Sequence, residues 1–573
     1  MLVKRVSFVL QILIAELCCL EFSAFAKEEN GIAYRAAVVE YHPIKIGDSP
    51  EEIFNENANN YKKFIEKASE YYTDIIVFPE SGLTNGRDST NRDVYPMWSS
   101  FIPDPKNEVN PCTDNTDTLE AIKIVACAAR NNSIYVIINV SEKVVCAHRT
   151  NCSDDGYLFY NTNVVFDRNG TVIARYRKYN LFGEVGFNRT EFPELTIFET
   201  DFGVTFGVFI AFDMIFKEPS LTLVRKMNIT DFVYSIHWYS ALPFMTAVQT
   251  EMAWSYTMDV NLLASGCNDP IVGSGGSGIF GGRRGTMASV MPETNSNILI
   301  VADVPARTDP VANGNYFSMV YNMSEIVSTA DQNASHEITL RRDNLEPYTT
   351  LEIDPRENEH DVELCDRGLC CQFYLKTSIT RTLVENTESD IGSPARRIPF
   401  YYRYRLAVFN GVRDYSGIRT GGIQTCGIFA CINDTLASCG RRLPSESSMD
   451  YVTRFDNITI VGDFPNDDEK LQIVETLTHE QLLPLQANEI FLEIDQLVKT
   501  RRIKFQLIEH RNDILTFAIY GRNFATDGSD VTKPGNDDFS GSGDFSIHHV
   551  SVLRIIGGIL CELLMILTYF SEL

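Results

Sequence analysis

Residues 204–216 read VTFGVFIAFDMIF, an apolar run that meets its first charge at Asp213. Residues 204–212 read as a strand, which puts Ala211 and Phe212 at its exit. The segments on either side alternate in type. Upstream, 36–41 (AAVVEY) is a short strand. Tyr61, Phe64, Ile65, Ala68, Tyr71 and Tyr72 then repeat at helical spacing and predict one amphipathic face over 61–72. Residues 75–78 (IIVF) form a continuous apolar run suited to a strand covered on both faces. A helix over 119–129 precedes a strand over 134–140. Residues 164–166 and 172–176 flank Asp167-Arg168-Asn169-Gly170, a hairpin signal. Downstream, a helix over 221–227, a strand over 232–238, a helix over 248–258 and a strand over 261–265 continue the pattern. This alternation across 27–310 predicts an α/β domain with helices packed on sheets.

The pattern changes further on. Residues 311–360 are richer in Asp, Asn, Pro and Ser and read as a connector. Residues 361–530 carry strand-like runs such as 401–409 (YYRYRLAVF) and 514–520 (ILTFAIY), with cysteines at 365, 370, 371, 426, 431 and 439. A second, β-rich domain tied by disulfides is expected there. Residues 531–543, rich in Gly, Ser and Asp, read as a flexible stalk.

The chain has 573 residues, 44 % of them hydrophobic and 11 % aromatic, which excludes a wholly disordered chain. Its formal charge of −26 leaves no basic footprint for nucleic acid.

Neither end reads as fold. Lys4 and Arg5 precede an apolar run, and Ala24 and Ala26 form an A-x-A cleavage pattern, so 1–26 reads as a secretory signal. At the other end the small residues Ser540, Gly541, Ser542 and Gly543 precede a polar spacer and a largely apolar tail. Residues 544–573 therefore read as a GPI-attachment propeptide, with the attachment site among those four residues and the membrane reached through the anchor. A tail-end membrane helix is the rival reading. Ten N-x-S/T sequons become glycosylation candidates in a secreted chain: Asn131, Asn139, Asn151, Asn169, Asn188, Asn228, Asn322, Asn333, Asn433 and Asn457. Of fourteen cysteines, Cys18, Cys19 and Cys561 leave with the two ends. The remaining eleven favour disulfides plus at least one spare thiol. Zinc is disfavoured, since no CxxC or HExxH is present. No cofactor is implied.

Functional groups in α/β sheets gather at the carboxyl ends of strands. Glu80 ends the run IIVFPE, where a carboxylate can act as general base, although taken alone it reads better as a loop acid or helix cap. Lys178 follows a strand containing ARYRK and lies close to Glu184. A lysine there can hold a negative intermediate, though taken singly it reads better as a solvated surface residue.

Together these residues carry a resemblance. The order FPE at 78–80, RYRKYNLFGE at 175–184 and FGVFIAFDMIF at 206–216 resembles the nitrilase, or carbon–nitrogen hydrolase, superfamily. DIIVFPESG at 74–82, NSIYVIINV at 132–140, NLFGEVGFN at 180–188, AVQTEMAWSYTMDVNLLAS at 247–265 and GSGIF at 276–280 are similar to its vanin and biotinidase branch of secreted amidases. So are LCDRGLCC at 364–371 and the cysteine-rich segment 426–439. The resemblance implies an α-β-β-α sandwich followed by a β-rich C-terminal domain. It also implies hydrolysis of small amides such as pantetheine-like or biotinyl amides by a Glu–Lys–Cys triad. Glu80 matches the general base, Lys178 the oxyanion-stabilising lysine and Glu184 a supporting acid. The nucleophile position, in the frame Phe209-Ile210-Ala211-Phe212-Asp213, is Ala211.

A methyl group has no lone pair, so covalent amide hydrolysis through this position is lost. The expected protein is an extracellular amide-binding relative with impaired catalysis. An active amidase with a relocated nucleophile, for which Cys267 is the candidate, is a second reading. A surface adhesion module acting by protein contact is a third.

Overall fold

In the first strand, β1 (Ile32–Glu40), Ala36 and Val38 enter one hydrophobic core while Ala37 and Val39 enter another. Side chains of a strand alternate between faces, so a strand apolar on both must be covered twice. The computed structural model describes residues 32–84, 92–146, 152–305, 316–327, 338–381, 401–443 and 451–534. The chain divides into two units, 1–532 and 533–573, and of the second only Lys533 and Pro534 are described. The expected signal (1–26), the candidate attachment residues Ser540 to Gly543 and the propeptide 544–573 lie outside the described residues. So do Asn151 and Asn333.

The first half runs β1, α1 (Pro50–Ser69), β2 (Ile75–Val77), α2 (Glu120–Asn132), β3 (Tyr135–Val145), β4 (Tyr157–Phe166), β5 (Val172–Arg177), β6 (Ile197–Glu199) and β7 (Thr205–Ile210). It continues through α3 (Thr222–Met227), β8 (Asp231–Ile236), β9 (Ala241–Leu242), α4 (Ala247–Met258), β10 (Asn261–Gly266), β11 (Ser277–Gly281), β12 (Thr286–Val290), β13 (Ile298–Pro305) and β14 (Ser318–Asn322). A seven-stranded sheet has the order β14-β13-β1-β2-β3-β4-β5, and a six-stranded sheet the order β12-β11-β10-β8-β7-β6. The two sheets pack face to face, with Val38, Val77 and Ile137 against Val208, Ile210 and Val233 in one core. Helices α1 and α2 cover the outer face of the first sheet through Tyr61, Phe64, Ile65, Ile122 and Val125. Helix α4 covers the second. This is the expected α-β-β-α sandwich.

The second half contains β15 (Arg341–Arg342), β16 (Thr349–Ile353), β17 (Glu359–Asp366), β18 (Leu369–Arg381), β19 (Arg403–Tyr415), β20 (Arg419–Cys431), β21 (Tyr451–Pro465), β22 (Lys470–Thr478), β23 (Ile490–Gln496), β24 (Thr500–Leu507) and β25 (Ile514–Asn523). Two antiparallel five-stranded sheets, β16-β19-β20-β25-β22 and β17-β18-β21-β24-β23, make the expected β-rich domain. The disulfide Cys371–Cys426 joins β18 of one sheet to β20 of the other. Cys365–Cys370 closes the β17–β18 hairpin, and Cys431–Cys439 ties the segment after β20. Cys112–Cys127 and Cys146–Cys152 lie in the first half.

The halves are joined intimately. Nearly every residue of α4 is buried, from Ala247 to Thr257, because its outer side meets β22. The backbone N–H of Val474 donates to Thr257 Oγ1 at 3.2 Å, and Thr516 Oγ1 donates to the Pro243 carbonyl at 2.8 Å.

Three boundaries differ from the sequence reading. The helix over 61–72 starts earlier, at Pro50 behind the Ser49 cap, and stops at Ser69. Tyr72 lies beyond it in a left-handed conformation (φ 55°) that ends helical propagation. Residues 311–360 are not simply a connector. Strand β14 pairs with β13 of the first domain, and β16 with β19 of the second, so the crossing is shorter. The stalk does not begin at 531. Thr532 exchanges hydrogen bonds with Val412, its N–H donating to the carbonyl and its Oγ1 accepting from the amide.

Candidate active site

Strand β2 runs parallel to β1 and β3, and β7 parallel to β8, so the carboxyl ends of β2, β7 and β8 open toward one region between the sheets. Glu80 lies three residues beyond β2, Ala211 directly after β7, and His237 directly after β8. Lys178 follows β5. Glu80, Lys178 and Glu184 are all buried, at 3 %, 3 % and 7 % exposure. The structure brings all four expected site positions together around one cavity.

Lys178 Nζ donates to Glu80 Oε1 and to Glu184 Oε1, each at 2.6 Å. Asn161 on β4 braces the same two acids, its Nδ2 lying 2.7 Å from Glu80 Oε1 and 3.1 Å from Glu184 Oε1. The other Glu80 oxygen accepts the His237 backbone N–H at 2.9 Å. Phe182 N–H donates to Glu184 Oε2. Burial pushes the Glu80 carboxyl upward against the pull of Lys178, and Glu184 adds to the rise. Burial works against the Lys178 charge, but Glu184 and Glu80 hold its pKa above the usual lysine range. A raised carboxylate beside a firmly charged lysine is the pairing that general-base and oxyanion roles require.

The exit of β7 is shorter than the sequence suggests. The strand stops at Ile210, and Ala211–Ile215 forms a tight turn. Asp213 causes this by accepting the Ile210 amide at 3.2 Å. The same carboxylate takes the Tyr176 hydroxyl at 2.7 Å and Asn180 N–H at 2.8 Å, so the turn is tied to the segment that carries Lys178. Ala211 has φ 41°, a region that L-residues other than Asn and Asp rarely occupy. Tyr234 donates its hydroxyl to the Ala211 carbonyl at 2.8 Å. The backbone is therefore a strained elbow of the kind that presents a nucleophile, carrying a methyl group instead.

The cavity beside this elbow measures about 310 Å³. Glu80, Lys178, Ala211 and His237 line one side. Arg341, Asp343, Tyr348, Arg413 and Tyr415 of the second half line the other, with Val531 from the chain's later course. Burial lowers the His237 imidazole to about 4, so it is neutral at physiological pH.

Cys267 does not join the site. It is 1 % exposed, is not among the cavity's lining residues, and follows β10 at a bridge to Tyr41. Burial pushes its thiol well above the ordinary range, which suppresses the thiolate a nucleophile needs. Among the described residues it is the one cysteine outside a disulfide, and its burial and raised thiol argue against its serving as a relocated nucleophile.

Asn139 is the other correction. It is 3 % exposed, and its Nδ2 donates to Asn161 Oδ1 at 2.7 Å and Asn163 Oδ1 at 3.1 Å. A glycan has no room there, and the residue belongs to the network behind Glu80. Asn131, Asn169, Asn228, Asn322 and Asn433 are exposed, while Asn188 and Asn457 are half-buried.

Asn161, His237 and the wall from the second half escaped sequence reasoning. The polar residues of NTN at 161–163, set in an apolar strand, are the signal that marks Asn161. His237 carries no such mark.

The carbon-nitrogen hydrolase family model matches residues 35–258, and the Vanin C-terminal domain model matches residues 338–527. The fold is that of a carbon–nitrogen hydrolase. Vanin-like protein 1 of Drosophila melanogaster is 35 % identical over 508 residues, covering 86 % of each chain. Pantetheinase of Bos taurus is 30 % identical over 439 residues, covering 75 % of this chain and 79 % of that protein. Biotinidase of Mus musculus is 25 % identical over 490 residues, covering 77 % and 87 %. The chain belongs to the vanin and biotinidase branch of the nitrilase superfamily.

Proposed function

We propose that this chain is an extracellular, amide-binding vanin-like protein whose hydrolytic step is impaired. One observation carries the reading: the Glu80–Lys178–Glu184 cluster remains hydrogen-bonded and buried beside an elbow whose side chain is Ala211. In an active relative of this architecture the nucleophile takes up the acyl group, the lysine holds the oxyanion and the glutamate moves the proton. Here the last two groups remain to bind an amide, and Lys178 is the group proposed to meet its carbonyl oxygen. A cavity of about 310 Å³ suits a small ligand. The pantetheinase and biotinidase relatives suggest pantetheine or a biotinyl amide.

The test is calorimetric titration with pantetheine and with biotinyl-lysine, beside a turnover assay. Binding of either with negligible release of product is expected. Turnover at a rate typical of the family, or no binding of either amide, sinks the reading.

Secretion through the 1–26 signal and a GPI anchor at one of Ser540 to Gly543 complete the proposal. Five disulfides support an oxidising compartment. No helix among the described residues is long and apolar enough to cross a membrane. Release of the protein from cells by a phosphatidylinositol-specific phospholipase is the expected result.

A further inference from the structure

We propose that the Cys365–Cys370 disulfide is a thiol-exchange site, which a low-molecular-weight thiol opens by attack at Cys365 while the other disulfides stay closed. The proposal stands independently of amide binding.

Cys365 and Cys370 face each other across the β17–β18 hairpin, and both are exposed. No other disulfide among the described residues has both ends exposed. Cys371, Cys426, Cys431 and Cys439 are fully buried, Cys146 is 1 % exposed, and Cys112, Cys127 and Cys152 are half-buried. Thiol–disulfide exchange depends on access, and exposed bridges are the more easily reduced.

Two features confine the exchange to this bridge. Successive side chains of a strand point to opposite faces, so Cys370 points to solvent and Cys371 into the core, where it holds Cys426. A thiol freed at 370 therefore has no path to the bridge between the sheets. The hairpin also keeps its register without its own bridge. Arg367 and Gly368, with φ 43° and 84°, form the two-residue turn that suits the twist of a hairpin. Asp366 fastens that turn to the other sheet, accepting Thr349 Oγ1 at 3.0 Å and the Asn410 N–H at 2.8 Å. The bridge spans a sequence separation of 5, and short loops gain the least stability from closure.

Attack runs in line with the sulfur–sulfur bond. Strand β17 is the edge of its sheet, so Cys365 is open on the side away from Cys370, whereas Cys370 has β21 on its far side. The incoming thiolate bonds to Cys365 Sγ as the Cys365–Cys370 bond breaks, and Cys370 leaves as a thiolate that takes the proton the reagent gave up. A second molecule of thiol displaces Cys365 in the same way. The reagent is oxidised to its disulfide and the bridge is reduced to a pair of thiols.

The test exposes the full chain to graded 2-mercaptoethanol and quenches with N-ethylmaleimide. Trypsin then cuts after Arg367, between the two cysteines, and mass spectrometry reads each one. Cys365 and Cys370 should be labelled at a reagent concentration at least about tenfold below that which opens any other bridge. At early times the mercaptoethanol adduct should lie on Cys365. The double variant Cys365→Ser, Cys370→Ser should take up no adduct in that range and keep the thermal transition of wild type. Earlier opening of another bridge, an early adduct on Cys370 in place of Cys365, or loss of the folded state in the double variant overturns the proposal.

Discussion

The Tyr234 hydroxyl donates to the carbonyl oxygen of Ala211 at 2.8 Å, holding the elbow from β8 by its backbone and not by its side chain. The bond is indifferent to which side chain stands at 211. The turn is also held by Asp213, so its geometry does not depend on the side chain at 211.

Ala211→Cys is therefore expected to create amidase activity. Losing the nucleophile of a catalytic triad costs up to about 10⁶ in rate, with a remnant from the other groups. A gain of at least about a hundredfold in amide turnover over wild type is the expected result, read by release of the amine. No gain in a folded variant would mean that other parts of the machinery are lost too.

Ala211→Gly tests the strain separately. Glycine accepts φ 41° without the Cβ penalty, against its greater unfolded-state entropy. A net stabilisation of about 0.5–1 kcal/mol is expected from urea unfolding.

Lys178→Ala leaves two carboxylates enclosed without their shared cation. Destabilisation of about 3–5 kcal/mol is expected, because an uncompensated buried charge is worse than a missing pair. Adding Glu80→Gln to that variant should recover part of the loss, which a double-mutant cycle measures.

His237 gives a pH signature. Its folded pKa of about 4 lies below the 6.5 expected of an unfolded chain. Between these values the unfolded chain binds the extra proton, so its contribution to stability is complete above pH 6.5 and declines as pH falls toward 4. Glu40 is buried and raised to about 7, and titrates in the same range with the opposite sign. The stability difference between wild type and His237→Gln isolates the histidine. It should shift against wild type as pH falls from 6.5 to 4.

Cys267 should resist alkylation in the native protein and react only on unfolding. Iodoacetamide labelling followed by mass spectrometry reads both states, and Cys267→Ser should leave amide binding unchanged. Native labelling that blocks amide binding would contradict its placement.

The sequence made the strand exits legible, because FPE at 78–80 and the end of FGVFIAFD place polar chemistry after apolar runs. Ala211 could be recognised from the residues around it. The burial of Asn139 was not legible: N-x-S/T says what a glycosylating enzyme accepts, not which neighbouring strand covers the side chain. Nor was the wall built by Arg413 and Tyr415. No local pattern links residues two hundred positions away to Ala211, and only the packing of two complete domains creates that contact. His237 was hidden for a related reason. Its role comes from a backbone N–H to Glu80, a group that every non-proline residue carries.

The enclosure of α4 on all sides has an evolutionary reading. In many families an enzyme domain can be duplicated, fused or shed as an independent module. Here the helix that seals the first half needs β22 on its far side, and part of the cavity's wall comes from the second domain. Gene fragments encoding either half alone would yield chains with a bare helix face or an open pocket. The two halves are therefore expected to be inherited together, with change confined to single residues such as Ala211, where the architecture can persist unchanged.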